Sequence, residues 1–161
     1  MRKEIIPDLI SEIKDELGML DTLVADIEAT GRGMPRAIQK RRIYEESLAL
    51  KLHNFYTGCE RIFHKIADDI NGGVPRSEDW HKRLLRNMSL EIEEIRPAVI
   101  SKETMKALEE YLAFRHVVRN IYGFEIDSEK LKGLLERVTA AYKRFNKEIG
   151  NFIIFLKKIA A

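Results

Sequence analysis

Cysteine is nearly missing from this chain. Cys59 is the single thiol, so no intramolecular disulfide can form and no cysteine-built zinc site is expected, which points to a reducing cytoplasm. Proline and glycine are scarce too, four and nine among 161 residues. They fall mostly in clusters, the punctuation of long helices joined by brief loops. Net charge is small: 28 Lys plus Arg oppose 26 Asp plus Glu, a formal +2. Any affinity for phosphate must then come from a local patch. The most apolar stretch, "IGNFIIFLKKIAA", is short and broken by Lys157 and Lys158, so it does not suit a bilayer. The start, "MRKEIIPDLISEIKDEL", has acids and a proline where a secretion signal needs an apolar run. No membrane role is expected. The "GRG" and "NGG" stretches match neither the dinucleotide fingerprint nor the P-loop.

What the chain does have is apolar material, 45% of residues, alongside 34% charged ones. That is enough for a core and too much for a disordered chain, and the length fits a single domain over 1–161. The apolar residues recur at helical steps. A first helix is expected from about Arg2 to Thr30, carrying Ile5, Leu9, Ile13, Leu17, Leu20, Leu23 and Ile27. Pro7 falls in its first turn, and "TGRGMP" ends it with Gly31 and Gly33 as candidates for positive φ. A second, from about Arg36 to Asn71, has Leu48, Leu50, Leu52, Phe55, Ile62, Phe63 and Ile66 facing the core and "NGGVP" as its stop. Ser77 reads as the cap of a short third helix over Asp79 to Met88. "SLEIEEIRPAVIS" reads as a loop. Ser101 caps a fourth helix reaching about Tyr122, and Asp127 caps a last one striped by Leu131, Leu134, Leu135, Val138, Tyr142, Phe145, Ile149, Phe152, Ile153 and Leu156. The expected fold is all-α, an up-and-down bundle of four long helices plus a short one. Amphipathic helices of this length leave apolar surface that favours a homodimer.

The candidate chemistry narrows by elimination. A carboxylate-bridged di-metal bundle needs paired Glu-x-x-His motifs. Glu60 stands four residues before His64, and Glu78 three before His81 in what reads as a helix cap, so no metal and no cofactor are expected. Cys59 in mid-helix reads as a packing residue rather than a nucleophile. The run "KRRIYEE", Lys40 to Glu46, has acids at helical spacing and reads as a solvated face. In "LKLHNFYTGCERIF", His53, Thr57, Glu60 and His64 share one helical face. Buried polar groups need partners, and this row is read equally as an internal network or as support for a site elsewhere.

The densest polar segment is "YLAFRHVVRNIYGFEID", Tyr111 to Asp127. Arg115, Arg119 and Tyr122 form one stripe on a helix, and guanidinium pairs suit phosphate because they are planar, permanently charged, bidentate donors. Asn120 follows Arg115 by five residues, about 140° around the helix. One ideal helix keeps the two apart. They converge only where the helix unwinds near Gly123 or against a second chain. On the residues alone, pairing of the arginines with Glu109, Glu110 or Glu125 competes evenly with a phosphate site.

An arginine, four residues, a histidine, one residue and a tyrosine near a helix end form the signature of HEPN ribonucleases and of the HepT toxins paired with minimal nucleotidyltransferase antitoxins. "RHVVRNIY" resembles it: Arg115 matches the arginine, Asn120 stands at the histidine position and Tyr122 at the tyrosine position. "LHNFYTGCERIF", "WHKRLLRNM", "IRPAVIS" and "FRHVVRNIYGFEID" follow in the order of that family, over most of the chain.

The resemblance implies a HEPN-like bundle that dimerises and a metal-independent endoribonuclease site shared by both subunits. In it the ribose 2′-hydroxyl attacks the adjacent phosphate, histidine moves the proton and arginine stabilises the developing charge. Arg115 and Asn120 would occupy the catalytic positions, with His116, Arg119, His53 and Glu60 supporting RNA. Tyr122 would take an adenylyl group from the antitoxin. Asn120 is the departure, since an amide neither takes nor releases a proton at physiological pH. The loss of such a group costs about 10² to 10⁴ in rate. Enzyme or not therefore stays open at this position. Asn120 is read as a substitution that made a toxic chain tolerable, a natural loss of activity, or a change covered by His116. The first is preferred because Asn keeps the size and hydrogen bonding of His. The alternative function is a non-catalytic HEPN module that docks a nucleotidyltransferase or nucleic acid.

Overall fold

The structure, a computed structural model, describes residues 3–120 and 125–161. A 3₁₀ turn over Lys3–Ile5 leads into α1 (Ile6–Arg32), followed by α2 (Ile38–Ile70), α3 (Trp80–Met88), α4 (Lys102–Arg119) and α5 (Ser128–Ala160). The described fold is an all-α, HEPN-like bundle of four long helices and one short one. α1 packs on α2 and α5, α2 on α4, and α4 on α5, while α3 lies across α2 and α4. No described helix is long and apolar enough to cross a membrane.

The core follows the helical stripes. Phe55 of α2 sits edge-on to Tyr111 of α4, with centroids 5.2 Å apart, and to Tyr142 of α5 at 6.2 Å, while Phe63 meets Phe145 at 5.7 Å. Edge-to-face pairs of this kind add about 0.5–1.5 kcal/mol each beyond area burial. The buried phenols are bonded to backbone: Tyr111 Oη donates to Leu134 O at 2.9 Å and Tyr142 Oη to Leu17 O at 3.1 Å. Two expected caps are in place. Ser101 Oγ accepts from Thr104 N at 3.1 Å, and Asp127 Oδ1 accepts from the amides of Glu129 and Lys130, each at 3.1 Å.

Several expectations need correcting. Gly31 lies inside α1, and Gly33 has φ −83°; among the described glycines the positive φ angles are those of Gly72 (82°) and Gly73 (130°) just after α2. Pro35 suffices to stop α1, so its glycines need no left-handed turn. Leu50 is 56% exposed, because it lies two residues, about 200°, from Leu48 on the helix. The inward positions there are Leu48, Ala49, Leu52 and Phe55. α3 begins at Trp80 with Asp79 before it and no side-chain cap; Ser77 contributes its carbonyl, which accepts from Trp80 N at 3.1 Å. α4 ends at Arg119 with Asn120 as its C-cap. The expected extension to Tyr122 and Gly123 lies outside the described residues.

The segment between α3 and α4 is a loop, closed by the Ile92–Arg96 bridge. Buried Arg96 pins it. Its guanidinium donates to Asn71 Oδ1 at 2.8 Å and to the carbonyls of Leu90, Pro97 and Asn87 at 2.9, 3.0 and 3.1 Å. This loop fixes how α3 approaches the last turns of α4, where the polar segment lies.

Candidate active site

Arg115 occupies a core position. It falls one and two turns after Tyr111, Leu112 and Leu108, all buried, and is itself 8% exposed. Its guanidinium therefore enters the bundle. Opposite it, α2 brings Glu60, in register with buried Tyr56 and Phe63 and 6% exposed. α3 brings His81, in register with buried Leu84, Leu85 and Met88. The three side chains meet: His81 Nδ1 lies 2.6 Å from Glu60 Oε2, Arg115 Nη1 3.7 Å from Glu60 Oε1, and Arg115 Nη1 3.3 Å from His81 Nδ1. With a carboxylate oxygen at 2.6 Å, Nδ1 is the donor to Glu60, so the Arg115 contact is a close approach of two cation-capable groups over one anion.

The expected partners of Arg115 are thus corrected. Glu110 instead accepts from Arg137 Nη2 of α5 at 2.9 Å, because positions 109 and 110 face outward while 115 faces the core. Glu109 takes no part in the cluster. Arg115 Nε is buried and without an acceptor among the described residues, as is the Tyr56 hydroxyl. Burial, then the Glu60 carboxylate, pushes the Tyr56 phenol well above its ordinary range and keeps it neutral.

The other expected residues surround this cluster. The His116 ring lies 5.9 Å from that of His81, edge-on. Its pKa is lowered by desolvation and then by its neighbours His81, Arg115, Lys82 and Arg119. His53 on α2, half-buried beside Asn54 Oδ1 at 3.4 Å, is lowered first by burial and further by Arg115 and Arg119. Arg119 is exposed in the last turn of α4. Asn120 is exposed and turned back on its own helix, its Nδ2 donating to His116 O at 2.8 Å. Within one chain Arg115 and Asn120 do not converge. Tyr122 lies outside the described residues.

His81 and Trp80 were missed in the sequence. The indole stacks on the imidazole, with centroids 3.6 Å apart, and meets His64 edge-on at 6.1 Å. The available signal was the spacing of His81 to Leu84, Leu85 and Met88, which turns it inward. The polar row of α2 opens onto a groove of about 350 Å³ along Thr57, Glu60 and His64. A larger cleft of about 940 Å³ shares His64 and adds Arg76, Trp80 and Arg83. In the Lys40–Glu46 run the basic residues are exposed, but Glu45 is buried, accepting from Arg41 Nε at 2.9 Å and from Ser128 Oγ of α5 at 3.1 Å, so the run is a solvated face only in part. Cys59 is fully buried, and desolvation raises its thiol. No group of three or more His, Cys, Asp or Glu is placed to hold a metal among the described residues; Glu60 and His81 offer two donors with a guanidinium against them.

The bundle of four long helices and one short one is HEPN-like, and it buries Arg115 near the end of α4 against Glu60 and His81. The family model described as HepT-like protein matches residues 47–156, which takes in α3, α4, most of α2 and α5, and every described residue of the cluster. The chain belongs to the HepT-like family. No curated protein and no solved structure matches it.

Proposed function

We propose that this protein is the toxin component of a toxin–antitoxin pair, a cytoplasmic homodimeric endoribonuclease that works without a metal. The observation that carries this reading is the placement of Arg115. A permanent cation is held in a nearly dry position, its Nε without an acceptor among the described residues and the His81 imidazole against its Nη1, near grooves that open to solvent. A guanidinium held this way can take two oxygens of a phosphodiester and stabilise the charge they gain when a ribose 2′-hydroxyl attacks phosphorus. The products are a 2′,3′-cyclic phosphate and a 5′-hydroxyl.

Asn120 holds the position at which the family signature has its proton-transferring histidine, and it lowers the rate. A second copy of the chain would bring another α4 end to the site. Val117, 41% exposed, lies among His116, Arg119 and Asn120 as apolar surface for that contact. A minimal nucleotidyltransferase is the partner, silencing the toxin by adenylylating Tyr122. Mass spectrometry of the chain after co-expression with such an enzyme tests this arm; an added adenylyl group on another tyrosine refutes the assignment.

For cleavage, the test compares the chain as it stands, Asn120→His and Arg115→Lys on single-stranded RNA. The His form should cleave about 10² to 10⁴ times faster. Arg115→Lys keeps the charge but loses the bidentate fork, and should cut poorly. One observation favours a second reading, a non-catalytic module that docks a nucleotidyltransferase or nucleic acid: Glu60 already balances Arg115, as a purely architectural pair would. That reading requires partner binding to survive both substitutions with cleavage absent throughout.

A further inference from the structure

We propose that His81, oriented by Glu60, is the proton carrier of this site, taking over the role for which Asn120 is chemically unfit. The inference rests on the ribonuclease reading and deepens it. Glu60 Oε2, 2.6 Å from Nδ1, fixes the tautomer that has its proton on Nδ1 and its lone pair on Nε2. Among the described residues Nε2 has no hydrogen-bond partner, and it is not among the side-chain atoms sealed from solvent. The His81 side chain is 16% exposed, against 8% for Glu60, so the carboxylate is secluded while the imidazole reaches the surface. Trp80, stacked on the ring at 3.6 Å, holds its plane. A carboxylate, an oriented imidazole and an open second nitrogen make a general base. Arg115 Nη1, 3.3 Å from Nδ1, sets the phosphate-binding group beside it.

His116 and Asn120 do not match this arrangement. Among the described residues no carboxylate bonds the His116 ring, which has Arg115, Lys82 and Arg119 as neighbours that lower its pKa; Asn120 donates into its own helix. Among the described residues, the titratable groups in contact with His81 are Glu60 from α2, and Arg115 and His116 from α4. Glu60 is the anion of the three, and it stabilises the imidazolium that forms.

In the step proposed, the O2′–H bond breaks and its proton passes to His81 Nε2 as the O2′–P bond forms. The P–O5′ bond breaks, and the leaving 5′-oxygen takes a proton from water. The hydroxide left behind removes the proton from His81, which restores the neutral base. RNA is thereby split into cyclic-phosphate and hydroxyl ends with no redox change and no metal.

The test uses the full chain and a labelled single-stranded RNA, with cleavage followed in single turnovers across acid to neutral pH. Binding is read separately by anisotropy on an all-deoxy analogue that cannot be cut. The native chain should cleave slowly, at a rate that rises from acid to neutral pH. His81→Gln should lose about 10² to 10⁴ of that rate and the pH-dependent limb, with binding within about twofold. His81→Ala should recover part of its rate on addition of free imidazole. Glu60→Gln removes the charge that stabilises the imidazolium and should move the limb to lower pH, a readout that a merely architectural carboxylate would leave alone. His116→Gln should weaken RNA binding and keep the limb.

Cleavage by His81→Gln at the native rate and pH profile overturns the proposal. So does a silent native chain alongside an active Asn120→His form, which leaves the ribonuclease reading standing. Silence of both defeats that reading itself.

Discussion

Replacing Glu60 with Gln should destabilise the fold by about 3 kcal/mol, the low end of what breaking a buried ion pair costs. At 3.7 Å and an effective dielectric near 20, the gross attraction between Glu60 and Arg115 is about 4.5 kcal/mol. Desolvation of both ions offsets much of this while the pair is intact. Once the carboxylate is gone, Arg115 at 8% exposure has no counter-charge, and the offset becomes a net penalty. Gln keeps the volume and can still accept from His81, so the loss isolates charge rather than packing. Urea denaturation should show the midpoint falling with an unchanged slope, and thermal melting a drop of roughly 6–12 °C for a chain of this size. Adding Arg115→Met to Glu60→Gln should cost less than the sum of the two single changes, by about 2 kcal/mol. A Glu60→Gln protein within about 0.5 kcal/mol of the parent, with additive double-mutant behaviour, would refute the claim that this pair is desolvated.

Three further outcomes follow from the packing and titration. Gly58→Ala should destabilise by about 1 kcal/mol, because a Cβ there would lie 2.6 Å from Leu20 Cδ2 and 3.4 Å from Glu16 Oε1, and overpacking outweighs the roughly 1 kcal/mol gain in helix propensity. Gly18→Ala, with nothing within 4 Å, should instead stabilise by about 0.5–1 kcal/mol, so the same substitution changes sign in denaturant titrations. Arg96→Met should cost about 3 kcal/mol by the same measurement, since it strands the acceptors on Asn71, Leu90, Pro97 and Asn87. The folded chain holds the pKa of His53 and His116 below the ordinary 6.5, so the unfolded chain binds protons first on acidification. Stability is then full above that value and is lost as pH falls through it toward the folded pKa values. Melting temperatures measured across this window should flatten in the His53→Gln, His116→Gln double variant.

The helices and most of their stripes were readable because burial in a bundle follows the 3.6-residue period, and Ser101 and Asp127 mark two helix starts as capping chemistry requires. The errors share a cause. Leu50 was included by residue type although its angle on α2 turns it outward, and Gly31 and Gly33 by their freedom although Pro35 already ends the helix. Arg115 was legible as a residue that matters, yet its partner was not. Helical spacing favours acids a turn away, whereas the counter-charge comes from position 60 on α2, which only the α2–α4 packing brings near. His81 is the strongest case, since its inward register could be read from Leu84, Leu85 and Met88. Its approach to Glu60, 21 residues earlier, depends on where the loop pinned by Arg96 sets α3.

On the function proposed, the Arg115 site of this HepT-like chain cuts RNA by 2′-hydroxyl attack. The most direct test is analysis of the fragment ends left when the Asn120→His chain is incubated with single-stranded RNA in the presence of a chelator. Expected are 2′,3′-cyclic phosphate and 5′-hydroxyl ends, formed without metal and much reduced when Arg115 is Lys. Intact RNA, or fragments with free 3′-hydroxyls, would contradict that function.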